Sequence, residues 1–240
     1  MSEIYDYITA ALQEEYTKQR TLTKTAVNEL TLYRHDRTGQ QLVLICSGYR
    51  NDAVFRRLKG LDTNGYTPRI YEVAGEEEHL YVLEEYVDGT PLSDYIPHDG
   101  QPETDTVRSV LIDLCTALEI LHGLDIVHRD IKPENVLLRD DGKACLIDFS
   151  IAKVTVDTED TQSLGTAGYA APEQYGVSGS QPTTDIYALG VLANVLLTGE
   201  HPTARIPKGK LGKIIKKCTD IQISRRYQSA TALKQALLRI

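Results

Sequence analysis

The sequence predicts an α+β fold in one domain of two lobes, in which a strand-rich first lobe precedes a mainly helical second lobe. Residues 16–83 contain several short strand-like runs, separated by turn signals such as Asp36-Arg37-Thr38-Gly39. Residues 104–122 instead carry apolar side chains at helical spacing. The chain has 240 residues, which is enough for one domain with a sizeable core.

The first lobe is expected to begin with an amphipathic helix over residues 3–14, because Ile4, Ile8, Ala11 and Leu12 share one helical face. Strand patterns follow at residues 16–22, 29–35, 41–46, 69–73 and 79–83. A short helix is predicted at residues 52–61, between the third and fourth strands.

The second lobe is expected to contain the long helix 104–122 and, after it, a hairpin formed by residues 135–138 and 144–147. Asp140-Asp141-Gly142 supplies the turn of this hairpin. The mostly apolar run 186–197 suits a buried helix and is too short to span a bilayer. Residues 213–219 and 230–238 predict two closing helices.

Composition narrows the function classes. The net charge is −8 and the pI about 5.3, and the basic residues form no long block, which argues against nucleic-acid binding. The four cysteines lie far apart without a C-x-x-C pair, so neither a zinc site nor a disulfide framework is predicted. We expect a chain without a membrane segment or secretory signal, in the reducing cytoplasm.

The most informative stretch is His128-Arg129-Asp130-Ile131-Lys132-Pro133-Glu134-Asn135. The Asp130 carboxylate can accept a proton from a hydroxyl group, and the Lys132 ammonium can bind a phosphate group. Asp148 follows the apolar run 145–147, and together with Asn135 it could bind Mg²⁺. These groups form the minimum set for phosphoryl transfer, in which positioning and charge neutralisation supply most of the catalysis.

This stretch, with the following Asp148-Phe149-Ser150, resembles the catalytic loop of eukaryotic-type protein kinases of the serine/threonine branch. The resemblance implies that Asp130 is the catalytic base, that Lys132 contacts the transferred phosphate and that Asn135 and Asp148 bind Mg²⁺. It also implies a small lobe at residues 1–84, a hinge at 85–92 and a large lobe at 93–240. The hinge backbone at Glu85, Tyr86 and Val87 would then bind the adenine of ATP.

Two parts of the kinase pattern are absent from the small lobe. No glycine precedes Gly39, so residues 23–28 replace the glycine-rich loop that normally covers the phosphates. The strand-three lysine is also missing, and by the alignment of residues 43–46 with the kinase pattern Cys46 takes its place. We expect another cation to face the phosphates. Lys24 is the first candidate, and the competitors are Arg50, Arg56, Arg57 and Lys18.

The resemblance extends to the end of the chain. It implies that Glu173 forms an ion pair with Arg226 and that Asp185 bonds back to the catalytic-loop backbone. Thr158 and Thr161 are the expected phosphorylation sites in the activation segment, whose charge Arg129 would bind.

The leading hypothesis is an atypical serine/threonine protein kinase that uses ATP and Mg²⁺ to phosphorylate a protein substrate. The intact Asp130, Asn135 and Asp148 favour it over a pseudokinase that binds a partner or nucleotide without transfer. A third alternative is an enzyme that transfers the nucleotidyl group of ATP.

Overall fold

The computed structural model describes residues 3–48, 51–75, 79–95, 102–155, 165–176 and 179–240. The chain divides into two compact units. The first comprises Met1–Thr63 and Pro68–Val87, and the second comprises Asn64–Thr67 and Asp88–Ile240. The α+β class predicted from the sequence is confirmed.

The first unit contains an antiparallel sheet of five strands in the order β1-β2-β3-β5-β4. The strands are β1 Tyr16–Lys24, β2 Asn28–His35, β3 Gln41–Ser47, β4 Ile70–Gly75 and β5 Leu80–Glu85. The helices are α1 Glu3–Glu15 and α2 Asp52–Leu58. All seven predicted elements are confirmed. Helix α2 ends three residues before the prediction because Lys59 forms a β-bridge with Ile70.

Helix α1 covers one face of this sheet. Leu12 packs in a buried cluster with Tyr33, Leu42 and Leu44, and Tyr5 and Ile8 lie against the same cluster. Side chains alternate between the two faces of a strand, so Val43, Ile45 and Ser47 of β3 lie on the other face. The two faces of β3 therefore have different environments, and only one is covered by α1.

The second unit is mainly helical, with short strand pairs around the loops. Its helices are α3 Thr104–Gly123, α4 Pro182–Thr198, α5 Lys210–Cys218 and α6 Ala230–Leu238. Its strands are β6 Thr90–Pro91, β7 Ile126–Val127, β8 Val136–Leu138, β9 Ala144–Leu146 and β10 Lys153–Val154. The predicted hairpin is β8–β9, and β10 pairs with β7.

Helix α4 is buried along most of its length and packs against α3, α5 and α6. At Gly190 an added Cβ would lie 2.5 Å from Cβ of Cys218, so only glycine lets α5 approach this closely. In the described part of the chain, no helix is both long and apolar enough to cross a membrane.

Candidate active site

The carboxylate of Asp185 on α4 shapes the loop that carries the candidate base. It accepts hydrogen bonds from the backbone N–H groups of His128 and Arg129, both at 2.9 Å, and it lies 2.9 Å from His122 Nε2. Asp185 is fully buried, and Arg129 has a left-handed φ of 70°. The predicted role of Asp185 is confirmed. Its two oxygens hold a backbone turn that a non-glycine residue seldom adopts.

Both carboxylate oxygens of Asp130 are engaged by neighbouring side chains. Thr166 Oγ1 donates to Oδ1 at 2.6 Å, and Lys132 Nζ lies 2.8 Å from Oδ2. Asn135 Nδ2 also donates to Oδ2, at 2.9 Å. Burial alone would raise the pKa of Asp130, but the hydrogen bonds from Lys132 and Thr166 and the nearby charges hold it below its ordinary value. Asp130 is therefore an oriented carboxylate at neutral pH.

Lys132 Nζ also donates to Thr166 Oγ1, at 2.9 Å. Asp130, Lys132 and Thr166 thus form a closed triangle, although Thr166 lies 36 residues beyond Asp130 in the chain. The sequence analysis assigned Lys132 and Asp130 to the site but missed this function of Thr166. The signal that could have indicated it is the Gly165-Thr166 pair, which by the kinase resemblance, together with Lys132, favours serine or threonine acceptors.

Asn135 and Asp148 lie at the same end of the β8–β9 hairpin. Asn135 precedes β8, Asp148 follows β9, and Ile147 N donates to Asn135 O at 2.9 Å. The side-chain Nδ2 of Asn135 donates to both the backbone and the carboxylate of Asp130, which leaves its amide oxygen as an acceptor. Asp148 is exposed and has a φ of 66°.

This donor set fits Mg²⁺, which favours oxygen ligands and usually combines one or two carboxylates with phosphate oxygens and water. No group of three or more His, Cys, Asp or Glu side chains that could hold a metal occurs within the described ranges. Metal binding by Asn135 and Asp148 stays a prediction, in which phosphate and water supply the other ligands.

Phe149 anchors the segment that follows Asp148. Its ring is 2% exposed and meets the His128 ring edge-on at 5.3 Å between centroids. His128 Nε2 lies 3.1 Å from the Ile147 carbonyl, and Ser150 N donates to Asp148 Oδ1 at 3.0 Å. The backbone on both sides of Asp148 is thus held by short contacts, which orients its carboxylate.

The predicted ion pair between Glu173 and Arg226 is confirmed. Arg226 donates to both carboxylate oxygens, at 2.6 and 2.9 Å, and the two side chains are almost fully buried. Arg226 also donates to the backbone carbonyls of Thr183 and Asp220, and Thr184 donates to Glu173. This network ties the end of the activation segment to α4 and to the loop before α6.

Gln174 links the same region to the catalytic loop. Its Nε2 donates to the Arg129 carbonyl at 2.9 Å, while its Oε1 accepts from Ala171 N. Gly165 has a φ of 138°, and a Cβ there would lie 2.7 Å from Gln174 Nε2, so glycine is required by both conformation and space. The predicted phosphorylation sites Thr158 and Thr161 lie outside the described residues.

Strand pairing shows the surroundings of Cys46. Cys46 shares a strand face with Leu42 and Leu44, the face that α1 covers, and it lies opposite Tyr81. On the other face of β3, Val43 and Ser47 are buried as well. The assignment of Cys46 to the lysine position stays a prediction, and β3 contains no lysine or arginine on either face.

Lys24 forms an ion pair with Glu29 at 2.7 Å, and this hydrogen bond raises the pKa of the ammonium. Glu29 is paired across the sheet with Cys46, which puts Lys24 and Glu29 on the face of α1. Arg20, in contrast, is paired with Leu32 on the face opposite α1. The sequence analysis did not consider Arg20, whose side chain lies on that face because bulges in β1 shift the alternation of side chains. Lys24 as a phosphate ligand stays a prediction, and Arg20 joins it as a candidate.

At the predicted hinge, two backbone N–H groups are already used inside the first unit. Glu85 N donates to the Arg69 carbonyl at 2.9 Å and Tyr86 N donates to the Gln41 carbonyl at 3.3 Å. Val87 is buried, at 6% exposure. The adenine-binding role of Glu85, Tyr86 and Val87 stays a prediction.

Comparison with known proteins agrees with this geometry. A model of the protein kinase domain family matches residues 56–238. Serine/threonine-protein kinase D of Synechocystis sp. is 34% identical over 199 residues, which cover 72% of this chain and 38% of that protein. Serine/threonine-protein kinase PknA of Nostoc sp. is 36% identical over 163 residues, or 63% of this chain and 28% of that protein. Serine/threonine-protein kinase PknL of Mycobacterium tuberculosis is 34% identical over 136 residues, which cover 55% of this chain and 34% of that protein.

The chain thus spans well under half the length of these relatives. The family match begins inside α2, so α1 and the first three strands lie outside it. It includes the catalytic loop, the Asp148 segment, the Glu173–Arg226 pair and the central helix α4. On this match and on the site geometry, the chain belongs to the protein kinase domain family.

Proposed function

We propose that this domain transfers the γ-phosphate of ATP to serine or threonine hydroxyls of a protein substrate. The observation that carries the proposal is the Asp130 carboxylate, which is kept ionised and oriented by Lys132, Thr166 and Asn135. A base in this state can align the acceptor hydroxyl and take its proton as the phosphoryl group moves. The relatives named serine/threonine-protein kinases support the same acceptor class.

Each residue has a distinct task in this proposal. Asp130 accepts the hydroxyl proton, and the Lys132 ammonium neutralises charge on the transferred phosphoryl group. Thr166 now donates to Asp130 Oδ1, so the incoming hydroxyl must replace this hydrogen bond or share the oxygen with it. Asn135 and Asp148 would hold Mg²⁺, which when bound would supply positive charge that neutralises the phosphates.

We further propose a cytoplasmic location, where ATP and Mg²⁺ are supplied. The proposed division of the sequence is a small lobe at 1–84, a hinge at 85–92 that would bind adenine, and a large lobe at 93–240.

The experiment compares the native chain with Asp130→Asn in Mg²⁺-dependent transfer of radiolabelled phosphate to a mixture of serine- and threonine-containing peptides. We expect transfer by the native chain and a drop of about 10²–10⁴-fold in the variant, the contribution of a general base. Thermal melting with ATP provides the control for nucleotide binding. If neither protein transfers phosphate while ATP still shifts the melting temperature of each, the result would instead support the pseudokinase alternative.

A further inference from the structure

Helix α5 presents a basic surface in an otherwise acidic chain. Residues 201–219 contain six lysines and arginines and no acid. The net charge of the whole chain is −8, so the net charge of the chain outside residues 201–219 is −14. Apolar residues separate the lysines in the sequence, so they form no continuous basic block there.

The helix gathers these charges on one side. The exposed side chains of α5 are Lys210, Lys213, Lys216 and Lys217. The buried ones are Leu211, Ile214, Ile215 and Cys218. We call the four lysines the α5 basic surface.

The lysines of the α5 basic surface repel one another. Residues three or four apart are neighbours on a helix, so Lys213 lies beside Lys210, Lys216 and Lys217. Like charges at this spacing destabilise a helix, and only Lys216 and Lys217, in the last turn, gain from the helix dipole. None of the four forms an ion pair with any acid in the described ranges. The surface therefore carries an unfavourable charge concentration that an anionic partner would relieve.

Apolar groups adjoin these charges. The ammonium of Lys217 lies 4.2 Å from the centroid of the Tyr227 ring. Ile221, in the loop directly after α5, is 79% exposed, and Arg225 is exposed beyond it. Cations beside an aromatic ring and an exposed aliphatic side chain suit a segment that combines carboxylates with an apolar residue.

We propose that the α5 basic surface docks a short acidic segment of the protein substrate, at a distance from the residues that carry out phosphoryl transfer. The partner's identity as a substrate rests on the proposed kinase function. A nucleic acid or anionic membrane is larger than this surface and would also meet the negative remainder of the chain. A short segment can stay within about one Debye length, roughly 8 Å, of the lysines.

Helix α4 gives the docking surface a fixed relation to the catalytic loop. Its Asp185 holds the loop backbone, and its Gly190 is packed against Cys218 and Thr219 at the end of α5. Five residues of helix separate these two contacts by about 7.5 Å along the axis. A docked substrate would therefore raise the local concentration of its acceptor hydroxyl near Asp130.

The first test measures binding without ATP, so it does not depend on catalysis. A fluorescein-labelled ten-residue peptide with six acidic residues and one leucine is titrated with native protein, Lys213→Glu/Lys216→Glu and the charge-conserving Lys213→Arg/Lys216→Arg. We expect the reversal to weaken binding about tenfold or more and the arginine variant to stay within about twofold. Circular dichroism confirms that each variant is folded. Equal affinity of native and reversed proteins overturns the proposal.

Phosphatidylserine vesicles and single-stranded DNA are titrated in the same way. If either binds with the same dependence on Lys213 and Lys216 while the acidic peptide does not, the partner is a membrane or a nucleic acid and the proposal is overturned.

The second test measures KM for an acceptor peptide with and without the acidic segment, joined by a flexible spacer. The reversal should raise KM only for the joined peptide and leave kcat unchanged. Transfer with the same KM for both peptides in the native protein overturns substrate docking. If the native protein transfers phosphate to neither peptide, the proposed kinase function is refuted. The peptide titration without ATP then still decides whether the α5 basic surface binds acidic segments.

Discussion

Removal of Arg226 should be among the most destabilising single changes in this domain. Its guanidinium is 2% exposed and makes two charged hydrogen bonds to Glu173. Two further bonds reach the carbonyls of Thr183 and Asp220. One side chain thus joins the segment of Glu173, the start of α4 and the loop that precedes Arg226 itself.

Arg226→Met keeps most of the side-chain volume but leaves the Glu173 carboxylate buried, with Thr184 as its remaining side-chain donor. Breaking a buried ion pair in this way costs about 3–5 kcal/mol. Domains are commonly stable by only about 5–15 kcal/mol. At about 2–4 °C per kcal/mol for a chain of this size, Tm should fall by roughly 10 °C.

The assay is urea unfolding followed by tyrosine fluorescence, since the chain has 14 tyrosines and no tryptophan. Arg226→Met, Glu173→Gln and the double variant form a double-mutant cycle. We expect the double variant to be destabilised by less than the two single changes together, with a coupling of about 1–3 kcal/mol. Glu29→Gln, which removes the charged partner of the exposed Lys24, is the control and should leave the midpoint nearly unchanged. Strict additivity, or a loss below about 1 kcal/mol for Arg226→Met, would refute the reasoning.

Three further predictions concern the site. If Arg20 supplies the missing cation, Arg20→Ala should raise KM for ATP by about tenfold. Lys24→Ala should leave KM unchanged, because Lys24 is paired with Glu29. If steady-state kinetics show the opposite order, Lys24 is again the first candidate for the phosphate ligand. Asp148→Ala should weaken Mg²⁺-dependent ATP binding more than Asn135→Ala, because a carboxylate carries a full charge and an amide only a dipole; calorimetry with and without Mg²⁺ checks this, and equal affinities would contradict it. The pKa of Asp130 is lowered in the folded state, so its contribution to stability is present above the ordinary value of 3.8 and is lost as the pH falls through the folded value. Accordingly, the pH profile of kcat/KM should show no acidic limb from Asp130 between about pH 5.5 and 8, and a limb near pH 6 that disappears in Asp130→Asn would oppose this assignment.

The catalytic loop could be predicted from the sequence because its chemistry is contiguous. Asp130, Lys132 and Asn135 lie within six residues, and the strand before Asp148 is short and apolar. Local spacing therefore already determined which groups meet. The same holds for the helices, whose apolar stripes arise from the period of the helix itself.

Contacts between distant residues were decided by the tertiary structure. Thr166 reaches Asp130 across 36 residues, and no local pattern encodes that hydrogen bond. The pairing of Glu173 with Arg226 across 53 residues was predicted only through the resemblance to protein kinases. Chain topology determines such contacts, since it brings separate segments to one place.

The sequence by itself determined that β3 has two alternating faces and that residues 201–219 are rich in lysine. Only the tertiary structure decided which face of β3 is covered by α1, and Cys46 lies on that face. Likewise, apolar residues interrupt the lysines of α5 in the sequence, and they form one surface only because Leu211, Ile214 and Ile215 are buried. The physical reason is the same in both cases: periodicity sets which residues share a face, whereas packing against other elements sets which face meets solvent.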